Sequence, residues 1–360
     1  MIDSTSFERL RSIGLTPALI QELAALRHDC AEPALMRVTE VQREGLTLHD
    51  GQTEHAARLL PALRATLAVD GDALAVGDWV LAQRNDQAEW WAHERVPPVN
   101  QLARRLHDGR DKVTRAVIVS NVDTALLVMG LDHDFSLRRL ERFVALVQMA
   151  RVTPVVVLTK ADLCGDPAVR LAQVQALLPP QAAVVAVNAL DAATRDVLLP
   201  WLQAGQTLVL LGSSGTGKST LTNTLSGRDV AITGANRADD SRGRHTTTAR
   251  SLHATPQGAC IIDTPGLRTL RLDGDASELE AAFGDIAQLA GQCRFRDCRH
   301  EDEPGCAVRD HVPPERLKNY NKLLREARRD SITALERKVQ VQQWKARSRH
   351  ARIRAEGKRG

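Results

Sequence analysis

Gly212-Ser213-Ser214-Gly215-Thr216-Gly217-Lys218-Ser219 fits the spacing G-x-x-x-x-G-K-[ST]. An apolar run, Thr207-Leu208-Val209-Leu210-Leu211, precedes it, and a helix-forming stretch starting Ser219-Thr220-Leu221 follows. Strand, glycine-rich loop and helix in that order are the context in which the spacing carries chemistry. The glycines let successive backbone amides turn inward on phosphate oxygens. Lys218 places a point charge on the outer phosphates, and the Ser219 hydroxyl is a Mg²⁺ ligand at a helix start whose dipole favours anions. Thr220 extends the polar set on that first turn. The competing reading is a glycine turn with no ligand, and the flanking strand and helix weigh against it.

Two further elements complete a nucleotide site. Downstream, Asp263 in "CIIDTPG" ends an apolar strand, so its carboxylate can join the metal shell while the Gly266 amide can meet a terminal phosphate. Upstream, Thr159-Lys160-Ala161-Asp162 follows the apolar run "PVVVL" and resembles the Asn-Lys-x-Asp guanine motif of GTPases. Asp162 would accept hydrogen bonds from the guanine N1–H and exocyclic amine, a donor pattern adenine lacks. The Lys160 stem would lie over the ring, with Ala161 as spacer. Thr159 stands in place of the usual Asn, with a hydroxyl of shorter reach. Val187 to Leu190, at the end of the next strand, is either a backbone contact to guanine O6 or an ordinary connecting loop.

Between residues 113 and 212 the apolar runs "AVIVS", "TALLVMG", "TPVVVLT", "AAVVAVN" and "QTLVLLG" alternate with helical patterns, the signature of a parallel sheet with crossover helices. One such helix places Leu137, Leu140, Val144 and Val147 on a single face, with Ser136 as its cap. The base motif (159–162) precedes the phosphate loop (212–219), which precedes Asp263. Ordinary GTPases run phosphate loop, switches, then base motif, so the chain is similar to a circularly permuted GTPase, whose sheet survives because cut and rejoined ends lie in surface loops.

Composition sets the outer limits. The chain has 360 residues, 43% hydrophobic and 26% charged, which excludes wholesale disorder and a single small module. No run approaches the roughly 18 apolar residues of a membrane span, and the first residues lack a secretory pattern, so a cytoplasmic chain without membrane contact is expected. Residues 1–34 read as a helical extension. Residues 35–100 hold five short strand-like segments, "LMRVTEV", "LTLH", "ATLAV", "DWVLAQ" and "WWAHERV", which fit a small OB-type barrel. Trp79 reads as core, and whether Trp90 or Trp91 is a base-stacking platform stays open. Cys293-x4-Cys298-x-His300-x5-Cys306 supplies three thiolates and an imidazole, a closed set for one structural Zn²⁺. His311 lies outside that spacing, and Cys30, Cys164 and Cys260 read as ordinary buried residues. Residues 315–360 carry 15 Lys and Arg against 5 Asp and Glu. The net charge of +4 therefore belongs to the tail, where Arg347, Arg349, Arg352, Arg354, Lys358 and Arg359 would neutralise phosphates of a nucleic acid.

With "SNVDT" (120–124), "GSSGTGKST", "GRHTTT" (243–248), "DTPG" and the cysteine cluster in this order, the chain resembles the RsgA (YjeQ, EngC) family of small-ribosomal-subunit-dependent GTPases. The resemblance covers nearly the whole chain. It implies a multidomain fold: an N-terminal β-barrel (OB-fold), an α/β P-loop GTPase domain with circular permutation at 101–275, and a small α-helical zinc-binding C-terminal domain at 276–360. It also implies Mg·GTP hydrolysis stimulated by the 30S subunit in late maturation, contact with 16S rRNA, and a switch loop at 235–248 in which one of Thr246, Thr247 and Thr248 acts. Leu267 occupies the place of the water-positioning Gln, and leucine can neither orient nor deprotonate water. His245 is the candidate to complete that site. A monomer is the default for a factor that docks on a large particle. The competing readings are an RNA-binding assembly factor that uses GTP as a structural ligand, and an ATPase, against which Asp162 argues.

Overall fold

The computed structural model describes residues 4–28, 30, 32–69, 71–107, 113–178, 182–231, 250–265 and 276–331. It divides into two units, one of residues 1–104 with 115–271 and one of residues 105–114 with 272–360. In the first, helices α1 (Ser4–Arg11) and α2 (Pro17–Ala25) open the chain. Thr16 caps α2 by accepting from the Leu19 amide at 3.4 Å, and Pro17 occupies the first turn, where no amide is needed.

Five strands then close on themselves: β1 (Ala34–Val41), β2 (Leu46–His49), β3 (Glu54–Leu59), β4 (Trp79–Arg84) and β5 (Trp90–Arg95). Their order is β1-β2-β3-β5-β4 with β4 returning to β1, so the barrel has no free edge. One expected strand is corrected. "ATLAV" belongs to α3 (Pro61–Val69), and the third strand is instead "EHAARL". Pro61 starts a helix well, Ala and Leu favour one, and Leu63 and Leu67, four residues apart, both meet the barrel core. In β3 only Ala57 is fully buried, so the strand carries almost no apolar alternation to read. Trp79 is fully buried, as expected.

A two-stranded ribbon, β6 (Gln101–His107) and β7 (Val113–Ser120), leads to the second sheet region. Its strands are β8 (Thr124–Gly130), β9 (Thr153–Thr159), β10 (Ala183–Ala186), β11 (Thr207–Leu211), β12 (Ser251–Ala254) and β13 (Cys260–Asp263). The order is β10-β9-β8-β11-β13-β12, parallel throughout except for the antiparallel β12–β13 pair. Every residue of β8 and β11 is buried, which is why both read as unbroken apolar runs. Helix α4 (Leu137–Met149) packs on β8 and β9 and buries Leu140, Val144 and Val147 as expected. Ser136 precedes it without a side-chain cap bond. Three shorter helices follow: α5 (Pro167–Gln175), α6 (Thr194–Leu198) and α7 (Lys218–Ser226). Glu40 of β1 pairs with Ser251 of β12, so barrel and parallel sheet are one hydrogen-bonded sheet.

Arg37, on β1, is fully buried where the N-terminal helices, the barrel and the parallel sheet meet. Its Nη1 donates to the Ile13 carbonyl and, at 2.9 Å, to Thr207 Oγ1; Nη2 donates to the Asn121 carbonyl at 3.1 Å. The guanidinium also sits 5.6 Å from the Trp79 ring. Gly14, with φ +89°, is obligatory beside it, because a Cβ there would lie 1.9 Å from Arg37 Nη1.

The second unit contains α8 (Ala276–Ala282), α9 (Gly284–Ala290), α10 (Ala307–His311) and α11 (Pro314–Ser331). Leu317, Leu323 and Ala327 of α11 are buried, and Tyr320 meets Phe283 edge to face at 5.2 Å. The basic tail from 332 lies outside the described residues. Among the described residues no helix is long and apolar enough to cross a membrane.

Arg37→Ala leaves three buried acceptors without their donor. At about 1 kcal/mol or more for each, we expect a loss of about 3 kcal/mol in urea unfolding, with little recovery in Arg37→Lys, whose single ammonium cannot reproduce the fork. A loss below about 1 kcal/mol would show that the junction does not depend on this side chain.

Candidate functional site

The parallel strands end on one edge of the sheet, where open α/β folds bind ligands. Gly212 follows the end of β11, Thr159 ends β9, Gly130 ends β8 and Asp263 ends β13. Residues far apart in the chain therefore converge because their strands are neighbours.

In the phosphate loop, Gly212 lies where a Cβ would meet the Val128 carbonyl oxygen at 2.2 Å, so only glycine lets β11 turn into the loop this close to β8. Gly217, in the left-handed region, starts α7. The loop closes on itself through Thr216 Oγ1, which donates to the Ser213 carbonyl at 3.0 Å. Lys218, on the first turn of α7, folds back over the loop and donates from Nζ to the carbonyls of Gly212 (3.0 Å) and Ser213 (2.7 Å). Its charge is thus already placed at the loop, although the side chain is only 6% exposed. Ser219 Oγ donates to Asp263 Oδ2 at 3.5 Å. A hydroxyl and a carboxylate facing each other are the oxygen donors that Mg²⁺ takes. Thr264 Oγ1 anchors the next residue by donating to the Leu210 carbonyl at 2.6 Å.

The base-side motif reaches the same loop. Thr159 is fully buried, and its Oγ1 donates to the Thr216 carbonyl at 2.6 Å. The shorter hydroxyl thus ties the end of β9 to the phosphate loop. Lys160 has φ +60°, a left-handed backbone uncommon for a side-chain-bearing residue, and Ala161 to Leu163 form a short 3₁₀ turn that leaves Asp162 exposed. The Ala161 amide donates to the Val187 carbonyl at 3.3 Å, which joins this turn to the 187–190 loop. In that loop Asn188 engages the Leu190 and Asp191 amides, and the Ala189 carbonyl accepts from Thr224 of α7 at 2.6 Å.

Asp132 is a site residue that the sequence does not flag. Its Oδ2 accepts from Lys160 Nζ at 2.5 Å; burial raises the carboxyl, but this bond, the Asp134 amide and the nearby charges of Lys160 and His133 together bring it below its usual range. Asp132, Asp134, Arg139, Lys160 and Ser213 to Gly215 line a cleft of about 260 Å³ that joins the base-side and phosphate-side motifs. The one local signal is an acidic pair directly after a buried strand. His245, Thr246, Thr247, Thr248, Gly266 and Leu267 lie outside the described residues.

In the second unit, ligand atoms of Cys293, Cys298, His300 and Cys306 lie within 4.8 Å of one another. Cys293 Sγ is 3.9 Å from Cys306 Sγ and 3.7 Å from His300 Nδ1, and Cys306 Sγ is 3.4 Å from that nitrogen. Tetrahedral zinc with ordinary bond lengths requires about 3.8 Å between sulfurs and about 3.6 Å between sulfur and nitrogen, so the donor set fits. Burial raises the Cys293 thiol, but the Val308 and Ala307 amides at the start of α10, together with Cys306 and Cys298, outweigh it and bring the group below its ordinary value. Cys306 caps α10, accepting from the Arg309 amide at 3.3 Å. His311 is turned to the Ala307 carbonyl and takes no part in the cluster. Of the remaining cysteines only Cys260 is fully buried; Cys30 and Cys164 are half-buried, because their loops carry them to the surface.

Thr159→Val keeps the shape and removes the donor to the Thr216 carbonyl. We expect affinity for a fluorescent GDP analogue to fall about tenfold, matching about 1–2 kcal/mol for one orphaned buried acceptor, and Thr159→Ser to restore most of it. Equal affinity in the valine variant would remove Thr159 from the site.

The comparisons with known proteins agree with this geometry. Residues 97–273 match the family model described as RsgA GTPase. Small ribosomal subunit biogenesis GTPase RsgA 2 of Vibrio vulnificus is 43% identical over 282 residues, 77% of this chain and 79% of that protein. Small ribosomal subunit biogenesis GTPase RsgA of Xylella fastidiosa (strain M23) is 43% identical over 309 residues, 84% of this chain and 90% of that protein. Among solved structures, YjeQ from Thermotoga maritima aligns with a TM-score of 0.60 at 22% identity, covering 82% of this chain and 98% of that one. YloQ, a circularly permuted GTPase, aligns at 0.58 and 24%, covering 86% and 100%. These two likenesses establish the permuted fold. With a matched family region that spans both nucleotide motifs, and 43% identity to curated relatives over more than three quarters of its length, this chain belongs to the RsgA family of GTPases, which bind GTP with Mg²⁺.

Proposed function

We propose that this chain is a GTPase of small-ribosomal-subunit biogenesis: it binds the 30S subunit through its 16S rRNA and hydrolyses GTP faster when bound. The observation that carries the reading is the 43% identity to relatives named small ribosomal subunit biogenesis GTPases, over up to 90% of their length. The proposed segments are an extension at 1–34, an rRNA-binding barrel at 35–100, the GTPase domain at 101–275 and a zinc-binding module with a basic tail at 276–360. The protein acts as a cytoplasmic monomer that docks on the particle.

Catalysis here is positioning and charge. Asp162 selects guanine, the Lys160 stem covers the ring and Thr159 couples this recognition to the phosphate loop. Ala161 spaces the two recognition residues. The amides of Gly212 to Gly217 cradle the phosphates, with Thr220 beside them on the first turn of α7. Lys218 neutralises charge as the terminal bond breaks. Ser219 and Asp263 would hold Mg²⁺, which when bound draws electron density from the phosphate oxygens. The Gly266 amide meets the terminal phosphate. Leu267 cannot orient water, so intrinsic turnover is slow, and His245 takes up that task when the subunit orders its loop.

Phosphate release from GTP and ATP, with and without 30S subunits, tests the reading. Stimulation restricted to GTP is expected, Lys218→Ala should abolish it, and His245→Ala should lower the stimulated rate by about 100-fold or more, the range of general-base contributions. Subunit-independent release, or equal use of ATP, would overturn the reading.

The metal of the Cys₃His cluster is proposed to be one structural Zn²⁺. Elemental analysis should find one zinc per chain and less than half of that in Cys306→Ser. Chelation should unfold the second unit before the first, because metal binding and folding are coupled in such small modules. Full helicity in a metal-free protein would contradict the structural role.

A further inference from the structure

Trp90 and Trp91 are consecutive on β5, so their side chains leave opposite faces of the strand. Trp90 packs against the barrel core, with the His55 ring 5.5 Å away and the Arg84 guanidinium 4.7 Å from its ring. Trp91 is different: it forms a wall of an open cleft of about 410 Å³ between β3, β5 and α3. Leu59, Pro61 and two alanines of α3 supply the apolar lining, and Arg58 and Arg64 supply the charge. The Arg58 guanidinium lies 5.8 Å from the Trp91 ring and, among the described residues, keeps only a long, exposed contact of 3.5 Å with Glu89. Arg64 makes no ion pair among the described residues, and Glu44 is the one acid on the lining. A second cleft of about 310 Å³ shares Leu59, Arg64 and Ala68 with the first, so Arg64 stands between two adjoining hollows.

A π-face, an apolar floor and two guanidinium groups in one concavity match the parts of a nucleotide: base, sugar and flanking phosphates. Both volumes fall within the roughly 300–1,000 Å³ of pockets that hold small ligands. Unpaired bases stack on aromatic rings and guanidinium planes, whereas bases within a duplex are not available to do so. A peptide would use the apolar lining but leave the two cations unmatched. We propose that this cleft binds one unpaired nucleotide of RNA, its base against Trp91 and its phosphates against Arg58 and Arg64. The proposal rests on the reading of the chain as an rRNA-binding factor and names the place on the barrel where a splayed base enters.

The full chain is titrated with a fluorescent single-stranded oligoribonucleotide and with its duplex, and its cosedimentation with 30S subunits is measured in parallel. Trp91→Ala should weaken single-strand binding by about tenfold, within the range for loss of one stacking platform, and leave duplex binding unchanged. Trp91→Phe, which keeps a π-face, should stay within about threefold of the parent. Arg64→Gln should weaken binding and reduce the slope of log affinity against log salt by about one, as for one lost phosphate contact. Thermal unfolding of each variant reports its folding, and the phenylalanine and glutamine variants keep the test decisive should the alanine variant misfold. A 5-iodouridine oligonucleotide should photocross-link to Trp91, located by mass spectrometry. Unchanged single-strand binding in Trp91→Ala, or cross-links that avoid β3, β5 and α3, would overturn the cleft while leaving the ribosomal reading intact. A parent chain that binds neither RNA nor subunit would instead overturn the ribosomal reading, and the cleft with it.

Discussion

Everything at the nucleotide edge depends on how β11 is held, and at its start a buried arginine adds to the strand's pairing with β8 and β13. Arg37 reaches from the barrel to Thr207, the first residue of β11, and to carbonyls at Ile13 and Asn121. Burial pulls its guanidinium below its ordinary value, while Cys260, Asp123 and Asp78 oppose that shift. An isolated cation in such a place would be costly, and three hydrogen bonds together with nearby acids make it tolerable. Asp123 secures the same strand from its other neighbour, accepting from the Thr207 amide at 2.7 Å. The far end of β11 opens into the phosphate loop, where Thr159 grips the Thr216 carbonyl. The central strand is therefore pinned at one end by the barrel and at the other by the end of β9.

Permutation of the chain leaves this arrangement untouched, because a sheet is specified by which strands pair and not by the order of synthesis. β11 lies between β8 and β13, so the base motif, one strand beyond β8, and Asp263, at the end of β13, flank the phosphate loop from opposite sides. What permutation changes is the route out. In sequence, Asp263 stands after the phosphate loop, and the second unit follows from residue 272. The barrel is continuous with the same sheet through the Glu40–Ser251 pair, so the two are built on one hydrogen-bonded framework.

Much of the parallel sheet is legible from residue order alone. β8, β9 and β11 stand out because strands covered on both faces must be apolar throughout. The phosphate loop and the cysteine cluster are legible because their spacing is their chemistry. β3 is not, since a barrel strand with one buried alanine has no pattern to find, and α3 reads as a strand because a short run of Ala, Thr, Leu and Val serves either geometry. Asp132 escapes notice for another reason: its partner Lys160 is 28 residues away, and an acidic pair after a strand does not point to it.

The sequence by itself determined the chemistry on offer: glycines where amides must turn inward, a lysine and a serine at a helix start, an Asp suited to guanine, three thiols and an imidazole for a metal. Each is a property of a few consecutive or closely spaced residues, governed by local backbone and side-chain physics. Tertiary structure alone decided the neighbours. It placed Thr159 on the phosphate loop, Lys160 against Asp132, Arg37 at the junction of three segments, and Trp91 rather than Trp90 on an open cleft. Those outcomes depend on strand pairing and on which face of a strand is covered, and both are settled by contacts between residues far apart in the chain.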